Sequence, residues 1–253
     1  METILVVVEG KKEEPKIIEN LEKSIFKDKV IIRILYGTSI YTFYKNLKKY
    51  GDYFETIEVL RDMSDKNKEV LKGIKRKDVS SIYLFFDHDS HSNVYTKEKL
   101  DEMIEFFYDE YENGKLFLSY PMVEAVRDID NIEEEYIEEK CYWCVDDNKK
   151  YKQHASEVIR NISFMSVYGN YDFKIWGIIS RYNWIKSNLL INNKFQLPSY
   201  DELMDFSQKL ILDKETELVN NKNLVVTLSG FPFFMVNYFK REIIEDILNN
   251  KKY

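Results

Sequence analysis

Ile4-Leu5-Val6-Val7-Val8-Glu9-Gly10-Lys11-Lys12-Glu13-Glu14-Pro15 is the stretch on which the reading of this chain turns. Five apolar residues in a row, mostly β-branched, fit a strand covered on both faces, as in parallel sheets. Pro15 suits the first turn of a helix, where the N–H it lacks would have no partner. Ile17, Ile18, Leu21 and Ile25 then recur at helical spacing. The stretch reads as strand, turn and helix, with Glu9 at the carboxyl end of the strand. Open α/β sheets place their functional groups at that edge.

Working outward, Val30 to Leu35 is a second apolar run and a second strand. Ser39 is placed to cap a helix carrying Ile40, Phe43, Tyr44 and Leu47 and closing near Gly51. Thr56 to Leu60 reads as a short third strand, and Ser64 to Leu71 as a basic helix ending at Gly73. Ser81 to Phe86 is another buried strand, terminating in Asp87-His88-Asp89. Leu100, Met103, Ile104, Phe107 and Tyr111 predict a helix over 97–111, stopped by Asn113-Gly114. Leu116 to Leu118 is a final short strand, leading into Ser119-Tyr120-Pro121-Met122-Val123-Glu124. Strands alternating with helices imply βαβ units and a parallel sheet.

The pattern changes near Arg127. Mostly helices are expected from there: an acidic run over 132–140, then 156–164, 174–190 and 200–211. A strand over 224–228 and an amphipathic helix over 231–249 close the chain. The expected organisation is an α/β domain over 1–125 and a mainly helical region over 126–253, whose last strand and helix pack back on the sheet.

With 44% hydrophobic residues and only 8 Gly and 4 Pro, the composition is that of a globular chain and not a low-complexity one. The net charge of -7 weighs against a uniformly basic nucleic-acid binder. It leaves room for lysine-rich stretches at 72–77 and 149–152 on one face, and a carboxylate-rich metal site is itself negative. No segment is long and apolar enough to span a membrane, and the amino terminus lacks a basic leader, so a cytoplasmic location is expected. Two cysteines give no disulfide framework.

Glu9, the Asp87/Asp89 pair and Glu124 each follow an expected strand. In a parallel sheet those ends share one edge, so the acids can converge. Clustered carboxylates repel unless a cation lies among them, and hard oxygen donors suit Mg²⁺ or Mn²⁺. Each acid alone reads first as a solvated strand end; an acid after each of three apolar strands favours a site.

Val-Val-Val-Glu-Gly at 6–10, followed by Leu-Phe-Phe-Asp-His-Asp at 84–89, resembles the TOPRIM domain of topoisomerases, bacterial primases and OLD-family nucleases. Glu13, four residues after Glu9, is similar to the EGxxE form of OLD-like nucleases. Pro121-Met122-Val123-Glu124 resembles the Pro-x-x-Glu element of RloB-like proteins and of the TOPRIM effector of PARIS phage defence (AriB-type). The likeness covers about the first half of the chain. It implies a TOPRIM-like parallel sheet flanked by helices, and Mg²⁺ (or Mn²⁺) held by Glu9, Asp87 and Asp89, with Glu13 and Glu124 as further ligands. Glu9 is the implied general acid/base. Lys11 is placed to contact the scissile phosphate as a point charge. Lys12, His88 and His91 are the substrate-binding candidates, the two histidines reading equally as incidental loop residues.

The function implied is a metal-dependent nuclease hydrolysing RNA, tRNA or DNA, acting as a toxin in abortive antiviral defence. No P-loop is present, so an ATPase partner would sense the trigger; self-association stays open. The alternative is a non-catalytic TOPRIM-fold module that binds a protein partner. A DxD phosphatase fits less well, because Asp87 does not follow the first strand. Cys141-Tyr142-Trp143-Cys144 has CxxC spacing, but a structural zinc needs four ligands and only His154 lies nearby. The aromatics between Tyr168 and Trp184 read as core before they read as a base-stacking platform.

Overall fold

In a computed structural model the chain is described over residues 2–26, 30–51, 55–88, 96–129, 136–160 and 167–250. It forms two compact units, Met1–Phe117 and Leu118–Tyr253. The fold is α/β, a five-stranded mostly parallel sheet flanked by helices and followed by a helical carboxyl-terminal part.

The first unit runs β1 (Glu2–Val8), α1 (Glu13–Leu21), a π-helical turn (Glu22–Phe26), β2 (Val30–Tyr36), α2 (Ile40–Lys49), α3 (Thr56–Met63), α4 (Asp65–Val70), β3 (Ser81–Asp87), α5 (Lys97–Phe106), β4 (Tyr108–Asp109) and β5 (Gly114–Ser119). Strand order is β2-β1-β3-β5-β4. β1 lies parallel to β2 and to β3, with Val8 opposite Tyr36 on one side and Phe85 on the other. Ile4 to Val8 are all buried, as expected of a strand covered on both faces.

β2 ends the sheet on one side, and an edge strand offers unpaired backbone groups. Side chains occupy several of them. The Asn67 side chain accepts from Tyr36 N and donates to Tyr36 O, both at 2.9 Å, much as a neighbouring strand would. Glu22 Oε1 accepts from Ile32 N at 3.2 Å.

Two expectations for this unit fail. Residues 56–60 open the helix α3 instead of forming a strand. Thr56, Ile57, Val59 and Leu60 are its buried residues, the i, i+1, i+3, i+4 spacing of a helix face; their β-branching misled. The helix expected over 97–111 stops at Phe106. Tyr108 and Asp109 then pair antiparallel with Lys115 and Gly114. Tyr111, the last residue of the helical pattern, is exposed. Gly114 stops no helix. It opens β5 at φ +116, and a Cβ there would come within 2.7 Å of the Leu84 side chain.

The second unit contains β6 (Tyr142–Cys144), α6 (Asn148–Arg160), α7 (Phe173–Asn192), α8 (Tyr200–Met204), α9 (Gln208–Lys222), β7 (Leu224–Val226), α10 (Gly230–Tyr238) and α11 (Arg241–Leu248). β7 pairs antiparallel with β6 in a sheet of two, a strand pair that the acidic and aromatic context of 138–144 hid. The helix expected over 200–211 is two, because Ser207 starts a new one by accepting from Leu210 N at 3.1 Å. The closing helix is likewise divided at Phe239–Lys240. Of the acidic run over 132–140, residues 130–135 lie outside the described residues and Glu138–Cys141 is a 3-10 turn. The helix expected over 156–164 begins earlier, at Asn148; residues 161–166 lie outside the description.

α7 is the axis of this unit. Fifteen consecutive residues, Ile175 to Leu189, are buried, so its polar side chains need internal partners. Arg181 Nη1 donates to Ile247 O at 2.9 Å and so caps the end of α11. Asn183 accepts from Ser229 N at 2.7 Å. Lys186 Nζ donates to Asp128 O at 3.0 Å and Thr227 Oγ1 at 2.8 Å. Tyr168, Tyr171, Trp176, Tyr182 and Trp184 are core residues here, as expected. Among the described residues no helix is long and apolar enough to cross a membrane.

Candidate functional site

β1 and β3 are neighbours, and Glu9 and Asp87 lie at their carboxyl ends. Val8 is level with Phe85. Glu9 lies one residue beyond Val8, and Asp87, the last residue of β3, two beyond Phe85. Neighbouring strands lie about 4.8 Å apart with a rise of about 3.3 Å per residue, which sets the two Cα atoms roughly 6 Å apart. Both residues are half-buried. β2 reaches the same edge, where Gly37 N donates to Val8 O at 2.8 Å. Gly37 lies against Phe86, whose ring a Cβ would meet at 3.1 Å. The hydroxyls of Thr38 and Ser39 follow, and Ser39 Oγ and Thr42 Oγ1 share a hydrogen bond of 3.0 Å at the start of α2. Ser39 holds the capping position expected of it, but its side chain makes no cap bond to the helix backbone; Thr38 was passed over in the sequence reading.

The turn after β1 is held by a residue that sequence reading also passed over. Glu14 is buried, and its Oε1 accepts from Gly10 N at 2.7 Å. A Cβ on Gly10 would fall 2.4 Å from Glu14 Oε2, so the glycine is what lets the carboxylate close on the backbone. Lys11 and Lys12 are exposed on this turn. Glu13, in the first turn of α1, lies 3.5 Å from Lys16 Nζ, an i,i+3 pair on the helix.

His88 is buried at 3% exposure, and burial pushes its pKa down to about 4. The imidazole is therefore neutral at pH 7 and brings no positive charge to the edge. Asp89 and His91 lie outside the described residues. Among the described residues no group of three or more His, Cys, Asp or Glu side chains could hold a metal ion.

Glu124 belongs to the second unit, in the 3-10 turn Val123–Arg127. It is buried, and Lys152 Nζ reaches its Oε1 at 2.5 Å. Four residues on, buried Asp128 accepts from Tyr151 OH at 2.7 Å, and His154 Nε2 lies 3.9 Å from its other oxygen. Burial, with the nearby Asp128 carboxylate, holds the Tyr151 phenol far above the usual tyrosine range. Cys141 is buried with its Sγ 3.7 Å from Tyr182 OH, while Cys144 is half-buried at the far end of β6; both are free thiols.

Among the described residues this edge offers two carboxylates, Glu9 and Asp87, as the groups that could contribute to holding a hard divalent cation. Carboxylates from adjacent strand ends are the ligands Mg²⁺ takes, and Mg²⁺ keeps several waters, so a few protein oxygens suffice. Comparison with protein-family models, curated proteins and solved structures finds no match to this chain.

Proposed function

We propose that the chain is a Mg²⁺-dependent nuclease of the TOPRIM type, with Glu9 and Asp87 as the centre of its site. One observation carries this reading: the two carboxylates leave neighbouring parallel strands at the same sheet edge, one residue out of step. Together with Asp89 they would hold Mg²⁺ or Mn²⁺. When bound, such an ion neutralises phosphoryl charge and makes a water nucleophilic near neutral pH.

The chain's own groups supply the remainder. Glu9 takes and returns the proton of the attacking or leaving oxygen. Lys11 and Lys12, two and three residues after Glu9 and exposed, hold the phosphate as point charges. His88, buried and neutral, adds no charge to this edge. Glu13 is a lesser ligand candidate, being already set against Lys16. Glu124 stays with the second unit in this reading. The substrate is a nucleic acid, RNA, tRNA or DNA, and the biological role is that of a toxic effector in antiviral defence, triggered by an ATPase partner.

Incubating the protein with tRNA, single-stranded and duplex nucleic acids in Mn²⁺ or Mg²⁺ tests the reading, alongside growth of cells expressing it. Glu9→Gln and Asp87→Asn should each lower cleavage and Mn²⁺ affinity by about 100-fold or more, since even outer-shell partners cost 10–100-fold. They should also relieve toxicity. Unchanged toxicity in both variants, with no calorimetric Mn²⁺ binding to the parent, sinks the nuclease and leaves the non-catalytic binding module.

A further inference from the structure

Between α2 and α5 the first unit opens a cleft of 530 Å³, within the range of small-molecule pockets. Its floor is apolar and aromatic: Leu47 from α2, and Met103, Phe106 and Phe107 from α5 and its exit. The floor is stiffened from behind. Phe106 meets Phe107 edge to face at 4.8 Å, Phe107 stacks on Phe43 at 5.7 Å, and Phe43 on Phe86 at 5.8 Å. A flat ring entering the cleft therefore meets preorganised faces and edges.

The mouth is polar and unevenly charged. Tyr44 OH donates to Glu102, and Lys48 Nζ lies 3.0 Å from the same carboxylate, so those charges offset each other. Glu105 also lines the cleft, is exposed, and makes no ion pair among the described residues. With one lysine against two glutamates, the described lining carries a net negative charge. At Gly51, on the rim with φ +77, an added Cβ would meet nothing within 4 Å among the described residues.

We propose that this cleft is a binding site for a small aromatic cation. The ring would lie on Met103, Phe106 and Phe107, and the charged group would pair with Glu105. The proposal uses none of the acids at the sheet edge and stands independently of the nuclease reading.

Tryptamine, indole and indole-3-acetate are a suitable probe set, sharing one ring system and differing in charge. Protein carrying ¹³C-methyl methionine reports the site directly, because Met103 lines it. Met103→Leu, a volume-conserving change, assigns the resonance. Tryptamine should shift the Met103 signal saturably and bind severalfold more tightly than indole, with indole-3-acetate weakest. Glu105→Lys, at an exposed position, should reverse the order of the two charged probes while the other methionine signals stay in place. A Met103 signal unmoved by millimolar tryptamine overturns the proposal. So does equal affinity for all three probes, or an order that survives Glu105→Lys.

Discussion

Asn67 is where the sheet's edge is most exposed to a single substitution. Its side chain is fully buried and makes three hydrogen bonds of 2.9 Å, accepting from Tyr36 N and donating to Tyr36 O and Leu60 O. Asn67→Ala removes all three and leaves one backbone donor and two carbonyls short of a partner. At about 1 kcal/mol net per bond, with the added cost of unsatisfied buried groups, the expected loss is about 3–4 kcal/mol. Against a typical total of about 5–15 kcal/mol this is a large fraction. Asn67→Asp should be worse still. It keeps the acceptor facing Tyr36 N but turns a carboxylate oxygen onto two carbonyl oxygens, at a buried position. Urea unfolding followed by circular dichroism gives both numbers. The reasoning is refuted if the alanine variant falls within about 1 kcal/mol of the parent, where ordinary surface changes lie, or if aspartate is tolerated better than alanine.

Two further substitutions probe buried carboxyls. Glu14→Ala removes a charge-assisted bond to Gly10 N and should cost about 2 kcal/mol, whereas Glu14→Gln keeps an acceptor and should cost less than half of that; equal losses in urea would show that the cap does not hold the turn. Glu215 is fully buried, accepts from Val226 N at 3.1 Å, and burial raises its pKa well above 4.5. The folded state thus keeps a proton that the unfolded chain releases, so this group's contribution is full below about pH 4.5 and declines as pH rises towards the folded value. Glu215→Gln abolishes that decline, and the stability difference between variant and parent should move in the variant's favour from pH 4.5 to 7; parallel pH profiles would contradict it.

How much of this was legible in the sequence depends on the range of the interaction responsible. The strand of β1, the turn and α1 are local: an apolar run, an acid, a glycine and a proline suffice. That Glu9 and Asp87 share an edge was also legible, because parallel strands deliver their ends to one side whatever their order. Adjacency of β1 and β3 was not, since strand order follows from long-range packing. The failures at 56–60 and 97–111 are period errors. Apolar residues at i, i+1, i+3 and i+4 fit a short β-branched run as readily as a helix face, and one misplaced aromatic at Tyr111 stretched a helix by a turn. Glu14, adjacent to the acid that was named, was missed because its target is a backbone N–H. A backbone group leaves no letter in the sequence.

Glu124 shows what such long-range partners change. From the sequence it is one more acid beyond a strand, and so a ligand candidate; in the structure its carboxylate is buried with an ammonium from 28 positions further along the chain, at 2.5 Å. A carboxylate so placed gains little from a metal ion, which would first have to displace the lysine. The lysine side chain is 63% exposed, so solvent screens the pair and the attraction itself is modest. The larger quantity is the cost of leaving a buried carboxylate with no cation. Lys152→Ala should therefore destabilise the protein by about 1–2 kcal/mol, below the 3–5 kcal/mol seen when both partners are buried. Glu124→Gln in the same background should recover part of that loss, since neighbouring sites that share one interaction are not additive. Saturating Mn²⁺ should leave the Lys152→Ala deficit unchanged if lysine is the natural counter-ion. If Mn²⁺ instead restores Lys152→Ala to the parent's stability, and fails to do so once Glu124 is also replaced, Glu124 is a metal ligand and its assignment to the second unit's own ion pair is wrong.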